Sequence, residues 1–171
     1  NSFFPNPKII CMVRDPRAIF TSMEKNFRKS QHQDSGLVNH AEMTGTTTEK
    51  RIDIWVGGVP IGLAMERLYQ IFKEGINQHM LFIKFEDLTS HPETQIKRVY
   101  DYLEVPYFQH DFNNVEQITV EDDEIYGVFG DHKIQKEVKP IKRDYNQILG
   151  TQTANWVKNN YKWFYDEFKY F

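Results

Sequence analysis

The apolar positions of the chain fall into two short continuous runs and several stripes at helical spacing. Residues 9–13 form the first run, bounded by Pro7 and by Asp15-Pro16, and residues 80–85 form the second. Runs of this length without alternation predict strands buried on both faces of a parallel sheet. After the first run, Ile19, Met23 and Phe27 recur at i, i+4 and i+8. That spacing predicts a helix, with Asp15 as its N-cap and Pro16 at the first helical position, where a missing N–H costs nothing. Ile52, Trp55, Val56 and Val59 predict a second helix from about Glu49, which Gly57-Gly58 and Pro60 should end. A third, over residues 61–74, carries Ala64, Leu68, Ile71 and Phe72 on one face, with Tyr69 off its centre. Ser90-His91-Pro92-Glu93 reads as a capping box before a helix that buries Ile96, Val99, Tyr100 and Leu103. Residues 151–168 predict one last helix with Val157, Tyr161, Phe164 and Phe168 inward. Strands separated and followed by helices predict an α/β fold with a mostly parallel sheet flanked by helices.

The intervening stretches are polar. Residues 30–50 hold few large apolar side chains and predict a long mobile loop. Residues 105–144 are irregular and include the acidic run Glu121-Asp122-Asp123-Glu124, read as a solvated turn. Gly127 and Gly130 either let a flat ligand approach the backbone or form an ordinary turn. Lys133, Lys136, Lys139, Lys142 and Arg143 make a locally basic stretch that suits a phosphate or is simply solvated surface.

Composition narrows this picture. A chain of 171 residues can bury one sizeable core, so one domain over residues 1–171 is expected. Apolar residues at 40% argue against disorder, and a net charge of −3 gives no general nucleic-acid signature. Cys11 is the only cysteine, which excludes a disulfide framework and a thiolate metal cluster. No apolar run reaches the length of a membrane span. The lone thiol and the lack of a leader point to a cytoplasmic protein. A strand beginning so soon after Asn1 reads as though an N-terminal segment is missing.

The joint between the first strand and the first helix is the main candidate for chemistry. A helix N-terminus presents unpaired N–H groups and the positive end of the helix dipole. Arg14 adds a planar, permanently charged fork suited to phosphate. Ser22 follows Asp15 by about two helical turns, on the same side as the joint. The alternative is structural: Arg14 pairs with a carboxylate and Ser22 is solvated.

Val13-Arg14-Asp15-Pro16-Arg17-Ala18, continued to Ser22, resembles the 3′-phosphate-binding segment of sulfotransferases that use 3′-phosphoadenylyl sulfate. The resemblance continues in order along nearly the whole chain. Met65-Glu66-Arg67-Leu68-Tyr69 is similar to the tyrosine-bearing helix of the tyrosylprotein sulfotransferase branch. Phe85-Glu86-Asp87-Leu88 with His91-Pro92 resembles the family's aromatic-Glu-Asp-Leu segment. Val138-Lys139-Pro140 resembles a late lysine–proline element, and the loop Gly130-Asp131-His132-Lys133 falls where the adenine-side loop does. The second arginine that the tyrosylprotein branch has four residues after the serine is Asn26 here, which argues against protein tyrosine as acceptor. No segment before Val13 matches the family's phosphosulfate-binding loop, so the chain resembles the carboxyl-terminal part of such an enzyme, a partial domain of P-loop-NTPase-like sulfotransferase fold.

This resemblance implies that Arg14 and Ser22 hold the 3′-phosphate of the donor, that Tyr69 and Gly130, Asp131, His132 and Lys133 hold its adenosine, and that Lys139 reaches its phosphate side. It implies sulfonate transfer to an acceptor hydroxyl or amine without a metal. It names no catalytic base and no acceptor. A non-catalytic nucleotide- or partner-binding module derived from such an enzyme is the alternative, followed by a nucleotide kinase-like domain, which lacks a Gly-x-x-x-x-Gly-Lys-Ser/Thr loop here.

Overall fold

The computed structural model describes residues 7–29, 40–119, 134–141 and 144–170. The chain forms two compact units. The first takes residues 1–14, 68–117 and 134–141, and the second takes residues 15–67, 118–133 and 142–171.

In the first unit, β1 (Ile9–Val13) pairs in parallel with β2 (Met80–Lys84), Ile9 opposite Met80 and Val13 opposite Lys84. Both apolar runs are thus strands, as their length predicts, and the parallel pairing bears out the α/β arrangement. Their burial differs from the expectation. Ile10 and Met12 are 39% and 56% exposed, while Val13 and Ile83 are buried. Among the described residues the sheet has two strands, so one face of β1 lacks the cover that a larger sheet provides. Cys11 is half-buried, and burial pushes its thiol pKa up.

A 3₁₀ turn (Ile76–His79) leads into β2, and α5 (Phe85–Ser90) follows it directly. α6 (Pro92–Leu103) comes next, and both helices pack against β2. The capping box is not formed. Ser90 is the last residue of α5, and His91 occupies the N-cap of α6 without a side-chain hydrogen bond. The His91 N–H donates instead to the Asp87 carbonyl, so the α5 turn holds the joint. Tyr102 ties α6 back to the sheet. Its hydroxyl donates to the His79 carbonyl at 2.8 Å and accepts the Ile9 N–H at 3.0 Å.

The second unit is helical. It contains α1 (Pro16–Lys29), α2 (His40–Met43) and α3 (Thr48–Gly57). It also contains α7 (Tyr145–Leu149), α8 (Thr151–Asn160) and α9 (Lys162–Phe168). α4 (Ile61–Lys73) follows α3 in the chain; its residues to Arg67 belong to the second unit and those from Leu68 to the first. Of the loop expected over residues 30–50, residues 30–39 lie outside the described residues, while α2 occupies residues 40–43 and α3 begins at Thr48, so that part is helical in place of loop. Thr47 caps α3 by accepting the Lys50 N–H. The glycine–proline break arrives where expected, with α3 ending at Gly57. Gly62 opens onto a tight contact. A Cβ there would lie 2.9 Å from the Val56 carbonyl carbon and closer still to its oxygen.

Two helical expectations are corrected. The buried face of α1 is Phe20, Glu24 and Phe27 with Thr21, not Ile19 and Met23. The apolar periodicity points one residue aside because the wholly buried Glu24 is charged and does not register in it. Residues 151–168 form two helices broken at Tyr161, not one. The inward face is nevertheless the expected one: Val157, Tyr161, Phe164 and Phe168 are all buried. Phe20 stacks on Trp55 and Tyr161, at 6.5 and 6.4 Å between ring centroids, which joins α1, α3 and the C-terminal helices into one aromatic core.

Candidate functional site

The parallel register decides what stands at the carboxyl edge of the sheet. Val13 and Lys84 are paired, so the next residues, Arg14 and Phe85, emerge side by side. The Arg14 guanidinium carbon lies 4.1 Å from the centre of the Phe85 ring. An aromatic face under a guanidinium fixes the plane of the fork by cation–π attraction and leaves its edge directed elsewhere. The carboxyl end of parallel strands is where ligands of open α/β sheets bind. Phe85 is therefore the platform for Arg14, a role sequence reasoning did not give it. The available signal was weak, because Phe85 reads as the last residue of the second apolar run and only the structure ends β2 at Lys84.

In the second unit, Asp15 caps α1 as expected, accepting the Arg17 N–H at 2.9 Å. It also does more. Asp15 is 3% exposed, and its two oxygens accept Nε and Nη2 of Arg17 at 3.1 and 2.6 Å. It takes the Tyr165 hydroxyl at 2.6 Å as well. The Arg17 guanidinium lies against the rings of Tyr145 and Tyr165. Burial alone would pull the Arg17 pKa down, but the hydrogen bonds and charge of Asp15 carry it above its ordinary value. Burial, and then the bond to Asp15, push the Tyr165 hydroxyl well above the usual range.

This capping corrects the expectation that the start of α1 offers unpaired donors to an anion. Pro16 has no N–H, the Arg17 N–H is held by the Asp15 side chain, and the Ala18 and Ile19 N–H groups donate to the Asp15 carbonyl. Any anion recognition by this segment must come from side chains. Ser22 lies half-buried on α1, in its second turn.

Two residues beyond Ser22, Glu24 is wholly buried and binds three side chains. Its oxygens accept Arg51 Nη2 at 2.6 Å, Arg51 Nε at 2.8 Å, Arg28 Nε at 2.7 Å and the Thr48 hydroxyl at 3.1 Å. Arg28 also donates to the Ile148 carbonyl at 3.0 Å. Burial would raise the Glu24 pKa, but the two guanidinium groups hold its carboxyl below the usual range. The Glu24 carboxylate thus clamps α1 to α3, and Arg28, held by that carboxylate, ties α1 to α7.

The remaining site expectations stand in the first unit or outside the described residues. Tyr69 is on α4, 47% exposed, beside the buried Leu68. Lys139 is exposed and pairs with Glu137 at 3.0 Å. Its segment is held by the Val138 N–H donating to the Phe112 carbonyl and the Val115 N–H donating to the Lys136 carbonyl. Gly130, Asp131, His132 and Lys133 lie outside the described residues.

A parallel strand pair flanked by helices, with an arginine at the carboxyl edge of one strand and a capped helix following it in the chain, defines an α/β protein. The family model described as the sulfotransferase family matches residues 1–109, nearly two thirds of the chain, and the chain belongs to that family. No curated protein and no solved structure matches it. Among the described residues no helix is long and apolar enough to cross a membrane.

Proposed function

We propose that this chain works on 3′-phosphoadenylyl sulfate and serves transfer of its sulfonate to the hydroxyl or amine of an acceptor. In that reaction the bond between sulfur and the bridging phosphate oxygen breaks as the acceptor's bond to sulfur forms. The acceptor's proton passes to a base, and adenosine 3′,5′-bisphosphate leaves. Positioning and the stabilisation of charge on the leaving phosphate are the expected sources of rate. The observation that carries the reading is Arg14, stacked on Phe85 at the carboxyl edge of the sheet of a sulfotransferase-family chain.

In this reading Arg14 and Ser22 contact the 3′-phosphate. Tyr69 and the Gly130, Asp131, His132 and Lys133 loop contact the adenosine, and Lys139 exchanges Glu137 for a donor phosphate. The likeness to the tyrosylprotein branch at Tyr69 and Lys139 concerns donor binding, while Asn26 separates this chain from that branch's acceptor. All of these residues bind the donor, and the base is not among them.

Calorimetric titration with adenosine 3′,5′-bisphosphate tests the reading. Arg14→Ala should lose about 2–4 kcal/mol of binding, the scale of a charge-assisted contact. Adenosine 5′-monophosphate should bind the unaltered chain more weakly and be indifferent to the substitution. Equal bisphosphate affinity in the two proteins would remove Arg14 from the site.

A further inference from the structure

We infer that Tyr165, in the last helix and beyond the residues matched by the family model, is a positioning residue for the phosphate-reading helix α1; this rests on the donor reading above. The hydroxyl of Tyr165 donates to Asp15 Oδ1 at 2.6 Å across 150 residues of sequence. The same oxygen accepts the Arg17 N–H that closes the first turn of α1. Three consequences meet in this one carboxylate. Its second oxygen is held by Arg17 Nη2, so both oxygens are engaged and the side chain has one orientation. The N-cap bond depends on that orientation. The charge of Asp15, which would oppose an incoming phosphate, is matched by Arg17 and by the tyrosine hydroxyl.

Arg17 is thereby assigned to the lock rather than to the ligand. Its guanidinium is held bidentate by Asp15 and packed against Tyr145 and Tyr165, at 4.8 and 5.2 Å from the ring centres. In the donor reading it is Arg14, stacked on Phe85, and not Arg17 that meets the phosphate. The C-terminal helices thus supply a hydrogen bond that fixes the start and the axis of the helix carrying Ser22. Tyr165 itself touches no donor atom.

Tyr165→Phe is the informative change, because the ring keeps its contacts with Phe164, Tyr170 and Arg17 while only the hydroxyl is lost. Lys162→Ala, which breaks the exposed Lys162–Asp166 pair on the same helix, is the control for general loosening of α9. Adenosine 3′,5′-bisphosphate and adenosine 5′-monophosphate are titrated against each variant, and amide exchange of residues 17–19 is followed by NMR. The expected result is a loss of about 3- to 10-fold for the bisphosphate, the effect of one hydrogen bond. Monophosphate affinity should not change, exchange at residues 17–19 should quicken, and Lys162→Ala should match the unaltered protein. Unchanged bisphosphate affinity in Tyr165→Phe, or an equal loss for both nucleotides, overturns the positioning role. If the unaltered protein does not prefer the bisphosphate, the donor reading falls. The lock is then judged by exchange alone: quickened exchange at residues 17–19 upholds it and unchanged exchange overturns it.

Discussion

Replacing Glu24 by Gln should be among the most damaging single changes that keep the side-chain shape. The carboxylate is wholly buried and receives two bonds from Arg51, one from Arg28 and one from Thr48. A glutamine can still accept through one oxygen. Its amide nitrogen, however, must face a guanidinium donor, and the 7% exposed side chain of Arg51 is left as a buried charge without its counter-ion. Breaking one side of a buried pair costs about 3–5 kcal/mol. Arg28 softens the loss, since its side chain is 44% exposed and can turn to water. Against a total stability of about 5–15 kcal/mol, the substitution should remove a large fraction. With a urea slope of about 1–3 kcal/mol per molar, a loss of that size should lower the unfolding midpoint by ~1–5 M.

The pH dependence gives a second reading of the same group. The folded pKa of Glu24 is held below its unfolded value, because the pull of the guanidinium groups outweighs burial. Its contribution to stability is present above the unfolded value of about 4.3 and is lost as pH falls through the folded value. The gap in stability between the unaltered protein and Glu24→Gln should therefore be widest near neutral pH and narrow in acid. Replacing both members, Glu24→Leu with Arg51→Met, should recover much of the loss, since an apolar pair leaves no buried charge unmatched and the part-exposed Arg28 can turn to water. Urea titrations at several pH values are the assay. A Glu24→Gln midpoint within error of the unaltered protein, or a gap that does not narrow in acid, would refute the argument.

Other substitutions test the remaining joints. Phe85→Leu removes the ring beneath Arg14, and calorimetry should show bisphosphate binding weaker by about 0.5–2 kcal/mol with monophosphate binding unchanged. Gly62→Ala forces a Cβ against the Val56 carbonyl and should cost about 1–3 kcal/mol in urea unfolding. Tyr102→Phe loses the bonds to His79 and Ile9 that hold the start of β1, and amide exchange at Ile9 should quicken while the helices of the second unit keep their protection.

How far the sequence could be read depended on where the relevant interaction lies. Both strands and the Asp15 cap were legible because each is a local matter of run length or of one residue against its neighbours. The C-terminal inward face was legible because large apolar residues repeat there at helical spacing. The α1 face was misread because its centre is the charged Glu24, which an apolar pattern counts as surface. What makes it interior is Arg51, 27 residues away. The capping box failed for a related reason: the motif was present, but a preceding helix had already claimed Ser90. Arg14's position at the carboxyl edge of β1 was legible from its place after an apolar run. Its platform Phe85 required the register of β1 against β2.

The same distinction explains why Asp15-Pro16-Arg17 carries more than a helix start. Read locally, the aspartate caps, the proline begins the helix, and the arginine is one more cation beside Arg14. Only the fold shows that Arg17 is consumed. An arginine two residues from a buried carboxylate, with tyrosine rings against it, gains more from that enclosure than from a mobile anion, because the carboxylate cannot dissociate. The two arginines of the motif thus divide their labour by surroundings. Arg14 is stacked on a ring and directed from a strand end. Arg17 is tied into the interior by a carboxylate that the last helix also grips. A count of positive charges in the motif would give both to the ligand, and the hydrogen bonds give one of them to the fold.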